Sequence, residues 1–162
     1  MNTISAIDTA KLILTIITTK LNTTTEEFSP ELTTRLKLLK LLYYVQGYHL
    51  GMFKKELFTE ELQAWKHGPV VVEVYKWLKD KSDEELNKDL LSNEDIIDLN
   101  LHDQQLELIT DVLKIYNKYS AYGLRDKTHK EEPWLLNYEQ DKNNIISKQD
   151  LKTFFTPLVT NA

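Results

Sequence analysis

Cysteine is absent from the 162-residue chain. That excludes disulfides, thiolate nucleophiles and cysteine-ligated metals, and it suits a reducing compartment. Glycine and proline are scarce, four of each, too few turn formers for an all-β chain of this length. Long helices are expected instead. No apolar run approaches the roughly 18 residues that a membrane-spanning helix needs. The opening stretch MNTISAIDTAKLIL lacks a basic region followed by a cleavage motif, so a cytoplasmic protein is expected. Glycine-rich phosphate loops and the His-Glu-x-x-His pattern are also missing. No cofactor, metal site or catalytic residue is therefore expected.

What is present is an ordinary soluble balance, 41% hydrophobic and 28% charged, in a chain long enough to bury a real core as one domain over residues 1–162. The net charge of −5 is unevenly spread: from Asp80 to Asp111 eleven acids meet two lysines, a local −9, while the remainder carries +4. Duplex DNA binding is disfavoured by the overall field. The acidic segment reads either as a solvated helix-and-loop surface or, more sharply, as a docking face for a basic partner.

The chain is organised around Leu36 to Trp77. A first helix is expected over Ile4 to Leu21, with Ile7, Ala10, Leu14 and Ile17 at helical steps and Ser5 with Asp8 as a capping pair. A polar loop follows over Asn22 to Thr25. Ser29-Pro30 looks like an N-cap and first helical position, opening a helix from about Glu31 to His49. Leu32, Leu36, Leu39, Tyr43 and Gln46 share one face of it, and Leu38, Leu42, Val45 and His49 share another. An apolar circumference this wide exceeds a surface helix's single stripe, so this helix should be central. Gly47 and Gly51 allow close backbone approach or a C-terminal cap.

Residues 56–66 suggest a small hairpin, Leu57-Phe58 against Ala64-Trp65 through Thr59-Glu60-Glu61. Gly68-Pro69 is strong punctuation. The run Val70 to Leu78 reads as a strand by β-propensity and as a helix by the spacing of Val70, Val74, Trp77 and Leu78. Ser82 with Glu85 resembles a capping box opening a short helix to about Leu91. Ser92 to Leu101 reads as irregular. A long helix is expected over Asp103 to Tyr119, a short one from Ser120 through Leu124, and a break at Glu132-Pro133-Trp134. After a polar loop over Asn137 to Asn144 comes a last helix capped by Ser147 and Asp150 and stopped by Pro157.

The blocks KLLKLLYYVQGYHL, LFTEELQAWKHGPVVVEVYKWL and THKEEPW resemble the signature of the Panacea domain, a family that includes GepA-like phage-associated proteins and SocA-like antitoxins. The likeness extends over about residues 6 to 156, with Asp8 to Leu14 similar to the family's opening helix and Ile145 to Phe155 to its closing one. The polar Asn22–Phe28 insert departs from the pattern. The resemblance implies a helical Val70 to Lys79, and an antitoxin that neutralises a cognate toxin by complex formation.

The fold expected is mainly α, a compact single-domain bundle around a buried central helix with a small β-hairpin near residues 56–66. Among the histidines, His49, His67 and His129 fall in the resembling blocks and could converge as a metal or catalytic site. The plainer alternative has His129 and Trp134 ordering a loop and His49 capping a helix. Trp65 and Trp77 read either as core anchors around the Gly-Pro turn or, with Lys66, His67 and Tyr75, as a partner hot spot. The partner-binding candidates are Trp65, Lys66, His67, Tyr75, Asp83, Glu84 and Glu85. The implied partner is a protein toxin with a basic surface. The alternatives are a protease adaptor that delivers a toxin for degradation, or a mobile-element protein with enzymatic activity.

Overall fold

A computed structural model describes residues 1–22 and 33–160. The expected polar loop over residues 23–25, the departure through Phe28, the Ser29-Pro30 cap, and Glu31 and Leu32 fall outside them. The elements in chain order are α1 (Ala6–Ile16), continued by a π-helical turn (Ile17–Leu21), α2 (Arg35–Phe53), β1 (Leu62–Trp65), β2 (Gly68–Val71) and α3 (Val72–Leu78). There follow α4 (Asp83–Leu86), α5 (Asn93–Asp98), α6 (Asp103–Tyr116), α7 (Ala121–Thr128), α8 (Glu132–Leu135), β3 (Asn144–Ile146) and α9 (Lys148–Thr160). The expected mainly helical bundle is what forms, with a three-stranded antiparallel sheet in the order β2-β1-β3.

The central helix is α2. Every residue from Leu38 to Gly47 is buried, as are His49, Leu50 and Gly51, and burial of each leucine contributes about 2 kcal/mol. It begins at Arg35, where Thr34 accepts the Lys37 N–H at 3.2 Å. It runs past the expected end at His49 to a left-handed cap at Lys54 (φ 60°). The two glycines serve close approach: a Cβ at Gly47 would overlap the Phe155 ring, and one at Gly51 would lie 2.9 Å from the Phe155 backbone. α9 therefore lies directly on α2. The Tyr44 and Tyr116 rings stack at 4.0 Å and join α6 to the same core.

Several local expectations hold. Ser5 accepts from Asp8 N–H at 3.0 Å, Ser82 from Glu85 N–H at 3.1 Å, and Ser147 from Asp150 N–H at 3.0 Å. α4 nevertheless ends at Leu86, short of Leu91. Asn87 turns back there, its amide donating to the Thr33 carbonyl at 2.9 Å while its oxygen accepts the Thr33 N–H at 3.1 Å. The stretch expected to be irregular contains α5, set by a capping box between Ser92 and Asp95. α6 ends at Tyr116 rather than Tyr119, and α7 runs on through Thr128. The Pro133 break is itself one helical turn, α8, with proline in its first positions.

The hairpin is displaced from its expected place. β1 pairs with β2, Leu62 opposite Val71 and Trp65 opposite Gly68, so the turn is Lys66-His67. Leu57-Phe58 forms no strand because its backbone is already satisfied: Gln46 accepts the Leu57 N–H at 2.8 Å and donates to the Phe58 carbonyl at 2.7 Å. The Leu57 carbonyl in turn accepts the Ile4 N–H at 2.9 Å. Val70 and Val71 are strand, and the helix starts only at Val72. The ambiguous run thus divides, β-propensity deciding its first part and helical spacing the rest. Pro157 lies inside α9 rather than ending it. Thr153 and Pro157 both lie on the exposed face, where solvent meets the carbonyl that proline leaves without a donor.

Candidate functional site

Two surfaces and one buried polar set result. The first is the hairpin tip. Lys66 and His67 are exposed there, and Gly68 follows at φ 118°, a conformation glycine reaches without Cβ strain. Trp65 is half-buried. Its ring meets Tyr75 edge to face at 4.9 Å, and its indole N–H donates to Gln63 Oε1 at 2.9 Å. Its carbonyl accepts the Trp134 indole N–H at 2.7 Å. Trp134 is sandwiched between His129 at 4.1 Å and Tyr138 at 4.5 Å. Trp65 is therefore part anchor and part surface. Tyr75 keeps 41% of its surface exposed. It borders a groove of about 330 Å³ lined also by Arg35, Leu36, Leu39, Leu78 and Lys79.

The second surface is acidic. Nine of the eleven carboxylates between Asp80 and Asp111 are exposed, Asp83 and Asp89 being half-buried. Asp83 is engaged: it accepts the Arg35 N–H at 3.3 Å and pairs with its guanidinium at 3.8 Å. Glu84 and Glu85, in the first turn of α4, are free at the surface. On α6, Asp103, Glu107 and Asp111 recur every fourth residue and are all exposed, so they form one line along the helix. Between α1, its π-helical turn, α5 and α6 opens an apolar groove of about 400 Å³, lined by Leu12, Ile16, Ile96, Ile97 and Leu106 among others. Ile97 is 74% exposed beside it.

The third is a buried polar set between α2, α7 and the start of α8. Tyr43 donates to Glu131 Oε1 at 3.0 Å, and burial pushes both the Tyr43 hydroxyl and the Glu131 carboxyl upward. Lys40, fully buried, is brought down to about 8 by burial and by the neighbouring Arg125 guanidinium. One signal was visible in the sequence: a cation at Lys40 between Leu38-Leu39 and Leu41-Leu42, deep in an otherwise apolar run.

The histidines divide. His67 and His129 come close enough to influence each other, both held below the usual imidazole range by burial and by Arg125 and Lys40. His49 lies apart. Its Nδ1 meets the Lys55 carbonyl at 2.6 Å and its Nε2 meets the Gln105 amide nitrogen at 3.0 Å. A carbonyl only accepts, so Nδ1 carries the proton and Nε2 accepts from Gln105. The convergence of all three histidines, one of the two possibilities left open by the sequence, does not occur. Among the described residues no group of three His, Asp or Glu side chains is arranged to hold a metal ion, and no helix is long and apolar enough to cross a membrane.

A buried tyrosine-rich helix thus feeds a Trp-turn-Gly-Pro hairpin. The model for the antitoxin SocA-like, Panacea domain family matches residues 38–135, and the chain belongs to that family. The matched span runs from within α2 through α8; α1, β3 and α9 lie outside it. No curated protein and no solved structure matches the chain.

Proposed function

We propose that this protein is an antitoxin-type binding module that neutralises a cognate protein toxin by direct complex formation, presenting its acidic face to a basic surface of the toxin. The observation that carries this is the nine exposed carboxylates on α4, α5, α6 and their connections, bordering an apolar groove with Ile97 projecting beside it. Charge of one sign speeds encounter and selects the partner, while the apolar floor supplies area to bury. A toxin acting on RNA or nucleotides needs a basic groove, and this face is built to cover one. The hairpin tip, with Trp65, Lys66, His67 and Tyr75, offers a second contact at which aromatic anchors meet charge. Family membership supports the antitoxin role and a contact-based rather than catalytic action.

The test is co-expression with the product of the adjacent reading frame, followed by co-purification at two salt concentrations. Binding that weakens with salt is expected. The variant Glu84→Lys/Glu85→Lys, and separately Asp103→Lys/Glu107→Lys/Asp111→Lys, should lose at least tenfold in affinity with the helical circular dichroism unchanged. Wild-type binding indifferent to ionic strength removes the electrostatic mechanism. A pulse-chase in which the toxin disappears, rather than persisting in a stable complex, replaces neutralisation by delivery for degradation.

A further inference from the structure

Lys40 projects from α2 between Leu39 and Leu41 and is 0% exposed. Its ammonium lies beneath Gly68: a Cβ on that glycine would be 2.8 Å from Lys40 Cε and Nζ and 3.1 Å from Thr128 Oγ1. The ammonium and the end of α7 therefore meet under the hairpin tip. Arg125 and His129, four residues apart, share one face at that end of α7. The Arg125 charge is felt by Lys40, His67 and His129 alike. Thr128 Oγ1 is directed elsewhere, donating to the Arg125 carbonyl at 2.8 Å.

Three polar atoms in this cluster, Lys40 Nζ, Arg125 Nε and His129 Nε2, are buried without a hydrogen-bond partner. Among the described residues neither Lys40 nor Arg125 has an ion-pair partner. The ion pairs among the described residues lie elsewhere, at Arg35–Asp83, Lys142–Glu139 and Lys148–Glu56. Asp126 is near enough to favour the charged form of His129 but makes no ion pair. Buried cations left without counter-charge are costly, by several kcal/mol per ion. Here one fully buried ammonium stands beside a half-buried guanidinium whose Nε is enclosed, with a half-buried imidazole next to them. The ammonium and the guanidinium N–H only donate, so what completes the cluster accepts hydrogen bonds, and a negative charge on it would also offset the unpaired cations.

We propose that Lys40, Arg125 and His129, roofed by His67 and Gly68, form a binding site for a tetrahedral oxyanion: inorganic phosphate or the terminal phosphate of a phosphomonoester. Donors arriving from α2 on one side and α7 on another suit a group with three or more oxygens better than a planar carboxylate. Entry is at the hairpin tip, where His67 is exposed and Arg125 and His129 are half-buried. β2 is an edge strand of the sheet, so the Lys66-His67 turn can lift without breaking the β1–β3 pairing. Nothing in this site draws on the acidic face, and each stands or falls separately.

The experiment is thermal unfolding and isothermal titration calorimetry on the full chain in chloride buffer at pH 7. Inorganic phosphate, and separately adenosine monophosphate, is compared with sodium chloride at matched ionic strength. At about one hundred times Kd, the phosphate should raise the midpoint by roughly 5–10 °C. Lys40→Met and Arg125→Met should each weaken binding at least tenfold. A response to both ligands assigns the site to terminal phosphates in general, and a response to inorganic phosphate alone assigns it to the free ion. The proposal is overturned if neither exceeds the chloride control, or if both variants bind phosphate as the wild type does. Should Lys40→Met not fold, Arg125→Met alone carries the comparison, since that side chain is half-exposed and its loss leaves the core intact.

Discussion

Gly68 and Lys40 are in direct opposition: the glycine's missing Cβ would stand 2.8 Å from the lysine's Cε and Nζ, at a backbone φ of 118°. The tip of the hairpin is thus seated on the one cation buried in α2. Replacing Gly68 by alanine adds both a strained backbone and a collision with a side chain that has little space to move. Gly68→Ala should cost roughly 2 kcal/mol, read as a lower urea midpoint with an unchanged m-value. Gly123→Ala, where the nearest foreign atom to a Cβ is Ser120 Oγ at 3.2 Å and φ is ordinary, should cost much less.

Lys40 itself should oppose folding in the absence of a bound anion. Its value in the fold, about 8, lies below the 10.5 of an ordinary lysine, so the unfolded chain holds more protons between those limits. Stability should therefore rise with pH from about 8 to 10.5, by an amount on the order of 3 kcal/mol at most. In chloride buffer at pH 7, Lys40→Met should be neutral or stabilising by roughly 1–3 kcal/mol, and it should abolish that alkaline rise. Urea titrations at pH 7, 8 and 10 check both points. A destabilised variant that keeps the slope contradicts them.

Gln46 substitutes for a strand partner, and its loss should be severe. Gln46→Ala leaves the Leu57 N–H and the Phe58 carbonyl buried and unpaired, at a cost of about 3 kcal/mol or more. The exposed neighbours Lys66 and His67 supply the contrast: alanine at either should change stability by less than about 0.5 kcal/mol. Hydrogen exchange at the Leu57 amide is the sharper readout, fast in Gln46→Ala and slow in the wild type.

Acid should loosen the end of α2. His49 is held below 6.5 chiefly by burial, edge-on to the Phe53 ring at 4.9 Å, and as a neutral ring it accepts from Gln105. The unfolded chain binds more protons below pH 6.5, so this contribution is complete above that pH and is lost as pH falls beneath it. His67 and His129 are lowered as well, His67 at a largely solvated position where the effect on stability is small. His49→Ala should flatten part of the acid slope between pH 6.5 and 5, while costing about 2 kcal/mol at pH 7. Urea midpoints across that range decide it. An unchanged slope in the variant assigns the acid sensitivity elsewhere.

Much of this was legible from local chemistry. The Ser-x-x-acid pairs at Ser5, Ser82 and Ser147 marked helix starts because the bonds concerned lie within one turn. Ser92-x-x-Asp95 carries the same pattern and forms the same box, within a stretch whose acidity reads as loop. The misplaced hairpin has a different origin. Leu57-Phe58 and Leu62 to Trp65 are equally strand-like in composition, and Gln46, eleven residues before Leu57, together with the Ile4 N–H removes the first from pairing.

Of the seven partner-binding residues expected from sequence, Lys66, His67, Tyr75, Glu84 and Glu85 are exposed. Asp83 is occupied by Arg35 and Trp65 is half-buried. Lys40 stands out as a cation within an apolar stripe, but nothing in the sequence joins it to Arg125, 85 positions away, and the two come together only through the α2–α7 packing.

The residue order alone determined that this chain is helical, that its leucine-and-tyrosine helix is the centre, and that negative charge gathers on one segment. Helical periodicity, capping and charge spacing are properties of neighbours along the chain, so no fold is needed to read them. Which backbone groups a buried glutamine would claim, where the hairpin would close, and that one buried lysine would lie beside a half-buried arginine were decided by packing at long range. Those outcomes depend on distances between segments, and distance in space is what a linear pattern does not encode.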